Sequence, residues 1–155
     1  MFNKQVMIYV FNNLLSQSKK SYDEFNAVDG KIGDGDLGIT ILNGLEEINK
    51  NIEKFTDDLG INFMLCSQAF VKKSGSSFGT LIAFSFMNIS KNLKGRKTCD
   101  HKDIITIIDT AMSTIQERGK TKVGDKTILD TLDFISRNLK STKNIINYPE
   151  LFKLS

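Results

Sequence analysis

The sequence predicts an all-α protein, folded as an up-and-down bundle of helices. The chain of 155 residues has one proline and no tryptophan, and it is rich in leucine, isoleucine, lysine and asparagine. Apolar residues recur at helical spacing in successive segments. Three polar, glycine-rich loops, at 29–36, 74–80 and 119–127, separate these segments. Because alternate loops of an up-and-down bundle fall at the same end, we expect all three loops to line one mouth.

The first half of the chain contains four predicted helices. Apolar residues at helical spacing place the first helix over residues 3–18. Ser21 and Glu24 have the spacing of a capping box, which starts a short second helix that ends near Val28. The third helix covers roughly 37–55, and the segment 57–60 ends it. The fourth helix covers about 62–72.

The second half contains three more predicted helices. An apolar helix follows the second loop and ends near Leu93. Asp100 or Thr98 caps a helix of about 102–117, and the last helix follows the third loop and ends near Lys140. The chain has no internal repeat and no low-complexity linker, and its length suits a single core. We therefore expect residues 1–155 to form one domain.

Charge and cysteine usage exclude several classes of protein. The net charge is only +3 and no basic stripe with interleaved aromatic residues is present, which argues against nucleic-acid binding. No apolar run is long enough to span a bilayer, and the N-terminus lacks the apolar region of a signal peptide. Cys66 and Cys99 form no CxxC pair, and Cys66 is expected to be a small buried hydrophobe. We therefore expect a cytoplasmic, reduced protein without nucleic-acid or membrane partners.

Three carboxylates in the first loop form the strongest candidate site. Asp29, Asp34 and Asp36 lie within eight residues, among glycines that let the backbone fold tightly. Converging carboxylates repel one another unless a cation lies between them, and Mg²⁺ is usually held by a few carboxylates together with substrate phosphates. The helix predicted from Leu37 presents free N–H groups that favour phosphate oxygens. The loop therefore predicts a site for a metal ion and a phosphate group.

Other interpretations of these loops remain open at the level of the sequence. The first loop is alternatively a surface turn, since Asp-Gly pairs are common turn formers. An EF-hand loop fits poorly, because Ile39 and Leu45 occupy the positions that need Gly and Glu. Asp125 either caps the last helix or serves the site. The single histidine, His101, is expected to face solvent.

Three blocks of residues, one in each loop, carry a resemblance to a known family. The first block is Asp29-x4-Asp34-Gly-Asp36-x-Gly38, and the second is Gly75-x3-Gly79. The third runs from Arg118-Gly119-Lys120 through Gly124-Asp125-Lys126-Thr127 to Asp130. Together they resemble the nucleotide-binding L subunit of dihydroxyacetone kinase, in order and spacing and over nearly the whole chain. The resemblance implies an antiparallel eight-helix barrel with a nucleotide at one end.

The resemblance also implies roles for individual residues. Asp29, Asp34 and Asp36 are implied to be the catalytic and metal residues, holding two Mg²⁺ ions that bind the phosphates of ADP or ATP. Contacts to the nucleotide are implied for eight residues of the three loops: Leu37, Gly38, Ile39, Thr40, Ser77, Phe78, Gly119 and Ile128.

In the form of this family that depends on the phosphotransferase system, ADP stays bound as a coenzyme. A partner that carries a phosphohistidine converts it to ATP, and the γ-phosphoryl group passes to dihydroxyacetone held on a histidine of the K subunit. The chain carries no K domain, so the resemblance favours the form with separate subunits. The implied partners are therefore the K subunit and the phosphohistidine-carrying subunit.

The sequence departs from the family pattern at three places. Leu37 stands where the family usually has His, and Phe78 stands where it has Ser. The chain also lacks the last helices, so we expect an incomplete barrel, exposed apolar surface and possible homo-oligomers; the Asn144–Ser155 tail is too short to replace two helices. The alternative function is a non-catalytic, shortened L-like module that docks kinase or phosphotransferase partners.

Overall fold

A computed structural model describes residues 1–142 as a helical array with one two-residue ladder. The helices are α1 (Lys4–Lys20), α2 (Tyr22–Asp29), α3 (Leu37–Lys50), α4 (Leu59–Lys73), α5 (Ser77–Asn92), α6 (His101–Gly119) and α7 (Ile128–Ser141). A 3-10 turn covers Ile52–Lys54. Strands β1 (Phe2–Asn3) and β2 (Thr98–Cys99) pair antiparallel, with Phe2 opposite Cys99. The prediction of an all-α protein is confirmed.

Side-chain contacts between consecutive helices show that neighbours run in opposite directions. The first residues of α4 lie against the end of α5, where Gly60 faces the Ser90 carbonyl group. Along the α5–α6 pair, Asn88 donates to Thr114 and Asn92 donates to Thr110. Residue numbers therefore increase along α5 in the direction in which they decrease along α6. The loops after α4 and α6 therefore lie at the same end of the array.

The core is a cluster of aromatic and aliphatic side chains from α1, α3, α4 and α5. Phe86 of α5 is partly buried and packs against this cluster, with ring centroids of Phe11, Phe63 and Phe70 at 6.0, 5.9 and 5.8 Å. Such edge-on and tilted pairs stabilise a core beyond the area they bury. Cys66 is fully buried here, as expected. The cluster fixes α5, and with it the start of α5 at the second loop.

Several predicted boundaries are wrong, and side-chain caps explain the differences. The segment 57–60 does not end the third helix but starts α4, because Asp58 Oδ1 accepts hydrogen bonds from the N–H groups of Gly60 and Ile61. Helix α3 ends earlier, at Lys50. Ser21 precedes α2 but makes no side-chain cap, so the predicted capping box is absent. Asp100, one of two predicted caps, does cap α6, in a capping box with Asp103.

His101 does not face solvent as expected. It is half-buried at the start of α6, and its Nδ1 atom is buried without a hydrogen-bond partner among residues 1–142. None of the helices in this part of the chain is both long and apolar enough to cross a membrane. The Asn144–Ser155 tail lies outside the described residues, so the expectation about it stays a prediction.

Candidate functional site

The first loop brings the three predicted carboxylates together. Asp29 is the last residue of α2 rather than a loop residue, and its Oδ2 atom accepts a hydrogen bond of 3.0 Å from the Asp36 N–H group. Gly35 has a φ of +75°, a conformation that side chains rarely adopt, and it turns the chain back toward Asp29. One carboxylate oxygen from each of Asp29, Asp34 and Asp36 lies within 4.8 Å of the other two.

The electrostatics of this cluster suit a hard cation. Partial withdrawal from water raises the pKa of Asp36, and the neighbouring Asp34 and Asp29 carboxylates raise it further, while the nearby Thr40 hydroxyl opposes the shift. A divalent cation would relieve the repulsion that raises this pKa. All donors are oxygens, which is the set that Mg²⁺ or Ca²⁺ takes. The cluster is therefore compatible with the predicted metal site, which stays a prediction.

The start of α3 differs from the expectation that its N–H groups are free for phosphate. The Asn26 Oδ1 atom, from α2, accepts hydrogen bonds from the N–H groups of Gly38 and Ile39, at 2.7 and 3.2 Å. A Cβ atom at Gly38 would overlap the Tyr22 carbonyl oxygen, so glycine allows α2 to approach this closely. Two N–H groups in the first turn of α3 are thus capped from inside the protein and are not available to a ligand.

The second loop touches the first through a pair of hydroxyl groups. Thr40 is buried, and its Oγ1 atom donates a hydrogen bond of 2.9 Å to Ser76 Oγ. Ser76 caps α5 by accepting from the Gly79 N–H group. Helix α5 therefore begins at Ser77, so Ser77 and Phe78 lie in its first turn rather than in a loop. Their N–H groups have no hydrogen-bond partner among residues 1–142, which makes this helix start the open one.

The third loop joins the same end of the array through α5. Gly119 lies next to the Leu81 side chain, and the Arg118 guanidinium group stacks on the Phe84 ring, 3.5 Å from its centroid. These contacts place Gly119 beside the first turns of α5. Ile128 is 41% exposed at the start of α7, and no contact within the described part of the chain joins it to the carboxylates.

Two aspartates hold the third loop in shape. Asp130 accepts hydrogen bonds from the N–H groups of Gly124 and Thr127, which lower its pKa. The cap of α7 is Thr127, in a capping box with Asp130. Of the two roles left open for Asp125, the helix cap is excluded, because Asp125 accepts from the Lys122 N–H group within the loop. Asp130 therefore holds the segment from Gly124 to Thr127, which leads into α7.

The sequence analysis missed two residues that organise the site. Asn26 caps α3 although it lies twelve residues before Gly38 in the chain, and no local sequence pattern predicts such a contact. Ser76 precedes an apolar run in the way that N-cap residues do, so this signal was available in the sequence. Both act on the first turns of α3 and α5, where the implied nucleotide contacts lie.

Comparison with known proteins identifies the family. A family model described as a DAK2 domain matches residues 31–154 of the chain. This chain belongs to the DAK2 domain family. The matched range contains all of the second and third loops, together with Asp34 and Asp36 of the first.

Curated DAK2-type relatives include bacterial kinase subunits. The ADP-binding subunit DhaL of PEP-dependent dihydroxyacetone kinase 1 from Listeria innocua is 30% identical over 130 residues, covering 83% of this chain and 65% of the relative. The corresponding subunit of kinase 2 from the same organism is 26% identical, covering 79% of this chain and 58% of the relative. The chain thus spans about three-fifths of the length of these two proteins.

A solved structure agrees with the DAK2 assignment at the level of the fold. The dihydroxyacetone kinase of C. freundii superposes with a TM-score of 0.75 at 21% identity, over 88% of this chain and 25% of that protein. A structure of the same kinase in complex with AMP-PNP and Mg²⁺ gives a TM-score of 0.74. The helical array is therefore that of the DAK2 fold.

Proposed function

We propose that this chain is the ADP-binding subunit of a dihydroxyacetone kinase that depends on the phosphotransferase system. The observation that carries the proposal is the closeness of two features. Three carboxylate oxygens lie within 4.8 Å of one another, and the Thr40–Ser76 hydrogen bond ties their loop to the open start of α5. A metal site beside an anion site is the arrangement that a nucleotide diphosphate requires.

The chain's own residues have separate tasks in this proposal. Asp29, Asp34 and Asp36 would hold Mg²⁺, two ions by the family pattern, and bound Mg²⁺ neutralises charge on a phosphoryl group in transfer. The free N–H groups of Ser77 and Phe78 would donate hydrogen bonds to phosphate oxygens. Since Asn26 occupies the N–H groups of Gly38 and Ile39, these two residues would line the site by shape rather than by donating hydrogen bonds, and Leu37 would contact the nucleotide beside them.

The rest of the reaction would lie with partners. A phosphohistidine-carrying subunit would phosphorylate the bound ADP, and the γ-phosphoryl group would then pass to dihydroxyacetone on the K subunit. The names of two relatives support these partners. One is the subunit of a PEP-dependent kinase in Listeria innocua. The other is the subunit of a PTS-dependent kinase in Lactococcus lactis, which is 30% identical over 121 residues, covering 77% of this chain and 59% of the relative. These chemistries remain proposals for a chain that spans part of such proteins.

Nucleotide binding is the first test. Calorimetry should detect ADP binding that needs a divalent cation, and Asp34→Asn should weaken Mg·ADP by more than about tenfold, or roughly 1.4 kcal/mol, because one anionic ligand is lost. Asp57→Asn is the matched control, since Asp57 is an exposed acidic residue far along the chain from the cluster. Equal affinity in wild type and Asp34→Asn, or binding that survives a chelator, would refute the metal assignment.

The alternative function is a non-catalytic L-like module that docks kinase or phosphotransferase partners. Leu37 and Phe78 favour it, because neither side chain can donate a hydrogen bond at positions where the family has His and Ser. A reconstituted mixture of K subunit, phosphodonor and this chain separates the two. Consumption of dihydroxyacetone that Asp36→Ala abolishes, with helical circular dichroism intact, supports the enzyme subunit. Partner binding without consumption supports the module.

A further inference from the structure

We infer that the outer groove between α4 and α5 docks an acidic segment of a partner protein, which inserts one large apolar side chain. A cleft of about 230 Å³ opens between these two helices. Ser67 and Ala83 are buried and form its floor, whereas Val71 lines its mouth and is 69% exposed. The inference goes beyond the proposed function, because docking in this cleft does not require a bound nucleotide.

The cleft faces solvent rather than the core. Ile82 and Phe86 of α5 pack against the core cluster, whereas Thr80, Phe84 and Met87 line the cleft. At 3.6 residues per turn, these two sets lie on opposite sides of the helix. A partner can therefore reach the cleft without any movement of the core.

The hydroxyl groups that line the cleft are already paired within the chain. Ser67 Oγ donates to the Ala83 carbonyl group at 2.7 Å, and Thr80 Oγ1 donates to the Ser76 carbonyl group at 3.0 Å. Ser74 Oγ lies 3.4 Å from Ser76 Oγ. The other lining side chains are apolar. The cleft therefore offers apolar surface, and it is smaller than the roughly 300–1,000 Å³ of most small-molecule sites, so it suits one large side chain.

Positive charge borders this apolar cleft. The Arg118 guanidinium group stacks on the Phe84 ring, 3.5 Å from its centroid. Lys91 is exposed and follows Met87 by four residues, which places it on the same face of α5. Neither cation pairs with a carboxylate among residues 1–142, and α4 and α5 contain no Asp or Glu. The charge therefore favours an acidic occupant.

Shape and charge together favour a protein segment over a membrane or a second copy of this chain. Polybasic membrane sites gather about four to eight lysines or arginines, more than the two cations that border the cleft, and a lipid surface has no single side chain to fill it. A second copy would bring the same two cations against these, which like-charge repulsion disfavours. An acidic segment with a Phe, Leu or Met anchor matches both features, since anchors fill desolvated pockets.

Methionine methyl NMR on the full chain tests docking directly, because Met87 lines the cleft whereas Met7 is fully buried in the core. The probe is a short synthetic peptide with one Phe flanked by glutamates. We expect it to shift the Met87 methyl resonance with a Kd at or below about 1 mM, and to leave that of Met7 in place. A peptide with glutamines in place of the glutamates should bind about threefold more weakly or worse. An unshifted Met87 resonance would overturn the inference.

Two pairs of exposed substitutions locate the binding surface. Val71→Asp puts a negative charge at the mouth of the cleft and should weaken the acidic peptide by more than about tenfold, because like charges then meet. Tyr9→Asp is the matched control on α1, where Tyr9 is also 69% exposed, and it should bind as wild type does. Lys91→Glu should weaken binding, whereas Lys20→Glu, at the end of α1, should not. Equal affinities in Val71→Asp and Tyr9→Asp, with circular dichroism unchanged in both, would overturn the inference.

Vesicles and sedimentation test the other occupants. Phosphatidylserine vesicles should bind the wild-type chain no better than phosphatidylcholine vesicles, and Val71→Asp should sediment as wild type does. Preference for phosphatidylserine, or dimers, that Val71→Asp abolishes would overturn the inference in favour of a lipid surface or a second copy. Val71→Asp should also keep wild-type affinity for Mg·ADP, so a failure of peptide docking leaves the proposed function standing. Loss of Mg·ADP binding in this variant would instead assign the cleft to the nucleotide site.

Discussion

The Asp36 carboxyl group lies beside two other carboxylates, which disfavour its charged form. Its pKa is raised in the folded chain by partial burial and by two neighbouring carboxylates. A carboxyl group whose pKa is raised on folding binds more protons in the native state, so its contribution to stability falls as pH rises through that window. The penalty is absent in acid below the unfolded pKa and complete at neutral pH. The site thus gives up some stability in order to keep three carboxylates together.

The neutral variant Asp36→Asn should therefore melt at a higher temperature than wild type at pH 7 in a chelator, because it removes the repulsion. The difference should shrink as pH falls below about 4, near the unfolded pKa. Differential scanning calorimetry at both pH values measures it, and Asp57→Asn serves as the control. Added Mg²⁺ should raise the melting temperature of wild type but not of Asp36→Asn. A variant less stable than wild type at pH 7 would contradict the repulsion.

At the scale of elements, the contact between the starts of α3 and α5 depends on one glycine. A Cβ atom at Gly79 would overlap the Ser74 side chain and press on Thr40, whereas a Cβ atom at Gly75 would meet nothing within 4 Å. The two glycines lie four residues apart in the same small-residue segment, and the sequence alone does not distinguish them. They make a matched pair for testing the packing.

Gly79→Ala should lower the free energy of unfolding by about 1 to 3 kcal/mol, the usual cost of overpacking. Gly75→Ala should change it by less than about 0.5 kcal/mol, as surface substitutions usually do. Urea denaturation followed by circular dichroism gives both values. Equal stability of the two variants would mean that the helix starts are not packed as described.

The helices and their caps show which features the sequence could predict and which it could not. Of the seven helices in residues 1–142, most were predicted from helical periodicity, because each of these has an apolar face that is buried. Helix α2 was predicted from the Ser21–Glu24 pattern instead, and none of its residues is buried. Convergence of Asp29, Asp34 and Asp36 followed from their spacing and from glycines in a tight turn. The capping of α3 by Asn26 did not, since it depends on how α2 packs against α3. Likewise, the segment that contains Asp58 was predicted to end α3, whereas Asp58 caps α4.

At the scale of the whole molecule, ligand binding should stabilise the fold. A ligand that binds only the folded state, at about 100 times its dissociation constant, adds about 2.7 kcal/mol, which for this size of domain raises the melting temperature by roughly 5 to 10 °C. Mg·ADP should do this in wild type, measured by scanning fluorimetry. Adenosine, which lacks phosphates, should not, and neither should ADP in a chelator. A shift of the same size with adenosine would place the binding energy away from the carboxylates.

The ladder between Phe2 and Cys99 has a consequence for the order in which the molecule is built. Phe2 and Asn3 find their partners only in the turn that leads into α6, and closing so long a loop has an entropic cost that grows with its length. On the ribosome, Phe2 emerges well before Cys99 and cannot complete this pairing until β2 has been made. The strand that precedes α1 is therefore paired only after α1 to α5 have been synthesised.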